Sequence, residues 1–157
     1  VLKNLVNALD KISRDSKNDI TLTIRPHPRE KSDEYKNVTS NVIRIIVSTD
    51  DNPRDIVMAS DLVIGMNTEL LVEACYLGCI VVSLQPGLRF KDVLTINNEG
   101  YSIPVYSKEK IIDTIQMTLM DPDIRSKMKK KLKYFKQDGH ATDRVVNIIN
   151  QMIETSN

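Results

Sequence analysis

Several things are scarce in this 157-residue chain, and each scarcity closes off a class of function. It has two cysteines, Cys75 and Cys79, and two histidines, His27 and His140, so no four-ligand zinc set can be assembled. The cysteines fall where a helix gives way to a strand and are expected as reduced, buried thiols. No run of about 18 apolar residues is present, which excludes a membrane-spanning helix. The N-terminus lacks the basic start, apolar core and small-residue cleavage site of a signal peptide. Charge of either sign is also missing as an excess: 22 Lys and Arg stand against 21 Asp and Glu, so the overall balance calls for no nucleic acid or acidic surface. With aromatics at 4%, no aromatic interleaving marks a nucleic-acid platform either. The length fits one domain, large enough to bury roughly two-thirds of its unfolded surface. The chain does not begin with methionine and starts inside a helical pattern (Val1, Leu2, Leu5, Val6, Leu9, Ile12), as expected of a fragment from within a larger protein.

What is present is an alternation of strand and helix signals. Ile20, Leu22 and Ile24 alternate with threonines and stop at Pro26-His27-Pro28. Residues 42–47 are β-branched and almost wholly apolar, which predicts a strand covered on both faces. Asn52-Pro53 with Asp55 predicts a capped short helix ending near Ser60. A third strand is expected over 61–65, a helix over 68–77 closed by a left-handed Gly78, and a fourth strand over 80–84. Residues 85–100 read as loop and 101–106 as a short fifth strand. Ser107 is expected to cap a helix to about Met120, followed by helices from Asp121-Pro122 to about Lys136 and from Ala141 to Ile153. No internal repeat, low-complexity tract or linker interrupts the series. The expectation is an α/β domain, a Rossmann-like three-layer sandwich with a parallel sheet of about five strands.

In open parallel sheets ligands collect beyond the carboxyl ends of the strands, so the residues that follow each strand are the candidates. Arg25 and His27 leave the first strand, and the two prolines beside His27 stiffen its backbone. Its imidazole is suited to donate to a phosphate oxygen or to stabilise a leaving diphosphate; the alternative is a surface histidine in a rigid turn. The second candidate is Gly65-Met66-Asn67-Thr68-Glu69, a strand-to-helix turn. Free N–H groups and the positive dipole end of the helix could receive a diphosphate there, with Gly65 permitting close approach and Thr68 adding a hydroxyl. Glu69 and Glu73, four apart, share a helix face from which a carboxylate could accept from ribose hydroxyls, Glu73 being the preferred one. Otherwise Glu69 merely favours the dipole and Glu73 is solvated. The lysines 127, 129, 130, 131, 133 and 136 read as a solvated helix face rather than a polymer- or membrane-binding one. His140 reads as structural, and Met117, Met120, Met128 and Met152 as adaptable core filler.

Three segments in order resemble the C-terminal half of GT-B glycosyltransferases and their relatives. "TLTIRPHP" (21–28) is similar to the HP motif of bacterial sialyl-, polysialyl-, capsule-polymer and CDP-glycerol-type polymer transferases. "ASDLVIGMNTELLVEACYLGCIVVSLQPG" (59–87) resembles the GT-B stretch that runs from an SD turn through a helix start bearing Ser or Thr. "DGHATDRVVNII" (138–149) resembles the closing helix of that superfamily. The resemblance implies that His27 contacts the donor phosphate, the Asn67-Thr68 turn cradles phosphate and Glu73 binds ribose. It implies as ligand a CMP-, CDP- or UDP-activated sugar and as partner a missing N-terminal domain that carries the general base, with no cofactor or metal. It further implies a cytoplasmic setting, with peripheral membrane association of the full-length protein as a variant. The fragment alone is expected to be inactive, since both halves of such an enzyme must close for turnover. UDP-N-acetylglucosamine 2-epimerases share the architecture, but their Ser-Gly-Gly turn is replaced here by Met66-Asn67-Thr68. A non-catalytic sugar-nucleotide-binding module is the further alternative.

Overall fold

The computed structural model describes residues 1–49, 51–135 and 138–155. The first element, α1 (Leu2–Ser16), buries Leu5, Val6, Leu9 and Ile12 of the stripe expected from the spacing and Ala8 beside them, while Leu2 is half-buried and Val1 lies exposed ahead of the helix. It stops at Lys17, which takes a left-handed backbone with φ 56°. For a residue with a Cβ that conformation costs about 1 kcal/mol.

Five strands follow, each pairing in parallel with its neighbours: β1 (Thr21–Ile24), β2 (Arg44–Val47), β3 (Val63–Gly65), β4 (Val81–Leu84) and β5 (Ile103–Val105). The sequence predicts one sheet, whereas the strands form two. β1 pairs with β2, and a three-stranded sheet has the order β3-β4-β5. Periodicity identifies strands but not their partners, and the short β3 carries its ladder on the β4 side. The two sheets nonetheless share a core. Ile43 beside β2 is buried in the same cluster as Val82, Leu84 and Val105, with Leu22, Ile45 and Ile64 packed against it.

β4 is the strand covered on both faces, every residue of it buried. Val82 and Leu84 point into the cluster formed with α1 and α5 (Ile111–Met120), while Val81 points into the opposite one. That second cluster joins Val57 of α2 (Pro53–Met58) and Leu71, Ala74 and Cys75 of α3 (Glu69–Tyr76). It also takes in Ile96 of α4 (Thr95–Asn98) and Leu132 of α6 (Pro122–Leu132). Helices therefore lie on both faces of the three-stranded sheet, as parallel strands require. The expectation of full coverage for residues 42–47 is corrected: Arg44 is exposed and Ile45 to Val47 are half-buried, because β2 has only one strand neighbour.

The caps follow the local chemistry. Asn52 accepts from the Arg54 N–H at 3.1 Å with Pro53 in the first turn, and Asp121 accepts from the N–H groups of Asp123 and Ile124 at 2.9 and 3.1 Å. Gly78 closes α3 with φ 73°. Ser107 departs from expectation, since its hydroxyl donates to the Glu109 carboxylate and a 3-10 turn precedes α5. The loop expected over 85–100 contains α4, and the 3-10 turn Ser32–Tyr35 was also not foreseen. The last helix, α7 (Ala141–Glu154), buries none of its residues. Its start is tied by His140, whose Nδ1 lies 2.9 Å from Asp143, and by an Arg144–Asp138 ion pair at 2.6 Å.

Both cysteines are free and buried. Burial, with the neighbouring Cys79, pushes the Cys75 thiol up to about 12. Of the four methionines expected in the core only Met128 is buried. Met120 is half-buried, and Met117 and Met152 are exposed, so helical placement alone did not identify which face they occupy. Two of the lysines do more than solvate a face: Lys129 donates to the Gly78 carbonyl at 2.8 Å and Lys131 to the Glu99 carbonyl at 2.9 Å, each at a helix C-terminus. Lys136 lies outside the described residues. Among the described residues no helix is long and apolar enough to cross a membrane.

Candidate functional site

Parallel pairing places the residues that follow β3, β4 and β5 along one sheet edge. Gly65 is level with Ser83, and Leu84 with Val105. From there the chain runs through Met66, Gln85 and Tyr106 into the loops of the carboxyl edge. Gly65 is required by packing. A Cβ there would lie 2.9 Å from Cδ2 of Leu71, a fully buried side chain, so the glycine lets the first turn of α3 settle on the strand end.

Asn67, Thr68 and Glu69 are exposed around the start of α3, and Glu73 is exposed one turn on. The Thr68 hydroxyl does not cap the helix, which leaves it open to a ligand. The turn is fastened from beneath, where the buried Ser83 hydroxyl donates to the Met66 carbonyl at 2.8 Å.

Ser83 leads into a polar network that sequence reasoning missed. Gln85 Nε2 donates to Ser83 Oγ and to Asp92 Oδ2, both at 3.0 Å. Asp92, 9% exposed, also accepts from Asn97 Nδ2 at 2.6 Å, from the Tyr106 hydroxyl at 2.8 Å and from the Leu94 N–H at 2.8 Å. Burial by itself raises the Asp92 carboxyl, but the donors from Asn97, Leu94, Tyr106 and Gln85 outweigh it and hold the group below the usual aspartate range. Ser102 extends the network by donating to the Asn97 side-chain oxygen. Nothing local distinguishes Asp92 in the sequence, since an aspartate in a Pro- and Gly-containing loop reads as solvated.

The other candidate segment leaves β1. The guanidinium of Arg25 donates to the Ser48 carbonyl at 3.1 Å, and Ser48 N–H donates to the Ile24 carbonyl at 3.0 Å, so Arg25 binds together the carboxyl ends of β1 and β2. Pro26 is buried and His27 exposed. The backbone around His27 is held locally: its N–H donates to the Glu30 carboxylate at 2.8 Å, which also accepts from the Tyr35 hydroxyl at 2.8 Å. These two donors, the His27 N–H foremost, lower the Glu30 carboxyl. The Arg29 N–H donates to His27 Nδ1 at 3.2 Å. With Nδ1 engaged by that N–H, Nε2 is the ring nitrogen left for a ligand.

Each candidate therefore lies at a strand's carboxyl end, but they belong to two sheets. Among the described residues no side-chain hydrogen bond or ion pair links the His27 turn to Gly65, Asn67, Thr68, Glu69 or Glu73. A cavity of about 650 Å³ lies elsewhere, between the C-terminal end of α3 (Tyr76, Leu77, Gly78) and the end of α6 (Lys129, Leu132, Phe135), away from the helix start that the candidate residues share. Among the described residues no group of three or more His, Cys, Asp or Glu side chains is placed to hold a metal ion. No protein-family model matches this chain, and no curated protein matches it.

Proposed function

We propose that this chain binds the nucleotide of an activated sugar, CMP-, CDP- or UDP-linked, as the donor-binding half of a GT-B-type glycosyltransferase or related polymer transferase. The observation that carries the reading is the carboxyl edge of β3-β4-β5. There the Gly65–Glu69 turn opens onto solvent above a fixed polar floor, with Glu73 exposed on the same helix. A diphosphate would take the free N–H groups at the start of α3 and the Thr68 hydroxyl, and a ribose the Glu73 carboxylate. On this reading the two sheets are parts of one Rossmann-like unit of five strands, and His27 at the end of β1 supplies its Nε2–H to the phosphates.

The exposed face of α7 supports a two-domain protein. Val145, Val146, Ile148, Ile149, Met152 and Ile153 are all about half exposed. Isolated helices of this length are marginal in water, so a face this apolar suits cover by another domain. The general base belongs to that other domain, and this half by itself turns nothing over.

Calorimetric titration of the 157-residue chain with CMP, CDP and UDP, with GDP and ADP as controls, tests the proposal. Selective binding at micromolar to millimolar affinity, with amide shifts at Gly65–Glu73, is expected. Absence of binding to all three pyrimidine nucleotides, both by this chain and by a protein that includes the second domain, would overturn it.

A further inference from the structure

The loop between β4 and α4 holds apolar side chains out in solvent on a fixed stem. Phe90 is 85% exposed, and Leu88 and Val93 are exposed beside it. The stem continues the β4-β5 ladder beyond the strand ends, with the Gln85 N–H donating to the Val105 carbonyl at 2.9 Å and the Gly87 N–H to the Tyr106 carbonyl at 3.0 Å. Gly87, at φ 82°, turns the chain outward, and the Leu88 N–H closes the turn on the Gln85 carbonyl at 3.2 Å. The far end is clamped by Asp92 through its bonds to Gln85, Asn97, Tyr106 and the Leu94 N–H. Arg89 and Lys91 flank Phe90, both exposed and neither with a side-chain hydrogen bond or ion pair among the described residues. The chain's other phenylalanine, Phe135, is packed edge-on against Tyr76 and Tyr101, with ring centroids 4.4 and 4.6 Å apart.

We propose that residues 87–91 form a recognition loop in which Phe90 is the stacking platform for a nucleobase and Arg89 and Lys91 meet the phosphates attached to it. This rests on the nucleotide-binding reading above and adds to it a base-binding group. The occupant follows from the combination. An aromatic face flanked by two uncommitted cations matches a ligand that has both a flat apolar ring and an adjacent anion, which an uncharged sugar or an aliphatic chain does not offer. The location agrees, since the loop leaves the carboxyl end of the central strand, next to the turn that Ser83 fastens. Anchoring at both ends means that little loop entropy is lost when the ring is covered.

Having two phenylalanines makes the test direct. The chain labelled with 4-fluorophenylalanine gives two fluorine resonances, the exposed Phe90 and the packed Phe135 as internal control. CMP, CDP or UDP is expected to shift the Phe90 signal and leave Phe135 in place. Phe90→Ala is expected to weaken these nucleotides and their nucleosides about tenfold, with Phe90→Tyr close to wild type. Arg89→Ala with Lys91→Ala is expected to weaken the nucleotides and inorganic diphosphate while sparing the nucleosides. Nucleotides that bind with a still Phe90 resonance and unchanged affinity in Phe90→Ala would overturn this inference and leave the proposed function standing. Failure of every nucleotide to bind, both to this chain and to a protein that includes the second domain, would overturn both, and the Phe135 resonance reports whether each variant is folded.

Discussion

The carboxyl ends of β1 and of β4 are built on different principles, although both follow parallel strands and both present candidate ligand groups. Beyond β4 the chain is fixed by a buried carboxylate that gathers donors from Gln85 after β4, Leu94 and Asn97 at and in α4, and Tyr106 after β5. Beyond β1 the turn is fixed by exposed, short-range bonds among His27, Arg29, Glu30 and Tyr35, with only Arg25 reaching to the neighbouring strand. The first arrangement couples site geometry to global stability. The second lets His27 and its turn change with little effect on the fold.

The sharpest way to break this contrast is at Asp92. Asp92→Ala leaves several buried donors without an acceptor and is expected to destabilise the chain by about 3 kcal/mol in denaturant unfolding. Glu30→Ala, at the equivalent hub of the β1 turn, is expected to leave the unfolding midpoint unchanged. The Asp92 contribution has a definite pH sign. Its folded pKa is lowered, so the stabilisation is fully present above the ordinary aspartate range, about pH 4, and is lost as pH falls through the folded value. The stability gap between wild type and Asp92→Asn should therefore be constant near neutrality and close in acid. A gap that does not narrow at all as the pH is taken into acid would show that the carboxylate charge is not what holds the network.

Gly65→Ala is expected to cost about 1 to 2 kcal/mol, because the new methyl must displace a buried Leu71. It should also weaken nucleotide binding by moving the start of α3, whereas Pro28→Ala in the β1 turn should not touch stability to that extent. The smallest effects belong to the exposed contact groups. Glu73→Ala is expected to weaken nucleosides and nucleotides several-fold alike, and His27→Ala to weaken nucleotides several-fold while sparing nucleosides, each with unchanged thermal stability. Equal loss of nucleoside affinity in both would mean that His27 does not meet the phosphate.

The sequence was most legible where the governing interactions are local. Asn52-Pro53 and Asp121-Pro122 were readable as helix starts because a cap bonds N–H groups two or three residues away. The stripe of α1 was readable because Leu2, Leu5, Val6, Leu9 and Ile12 repeat within one helix. His27 and the Gly65–Glu73 turn could be singled out because each follows a recognisable strand. Asp92 could not, since its burial depends on Asn97 and Tyr106 arriving from other elements. Met117 and Met152 were misplaced for a related reason: a helical pattern says that a face exists, and the neighbours decide whether it is covered.

By itself, then, the sequence determined the order and type of nearly all elements, the caps of α2 and α6, and the glycine turn at Gly78, all of which rest on bonds and steric limits spanning about four residues. Only the tertiary structure decided that five parallel strands divide into two sheets, that β4 and not β2 is the covered strand, and that Asp92 organises the loops of the carboxyl edge. Pairing and burial depend on segments tens of residues apart meeting in space, and that information is carried by no single stretch of the chain.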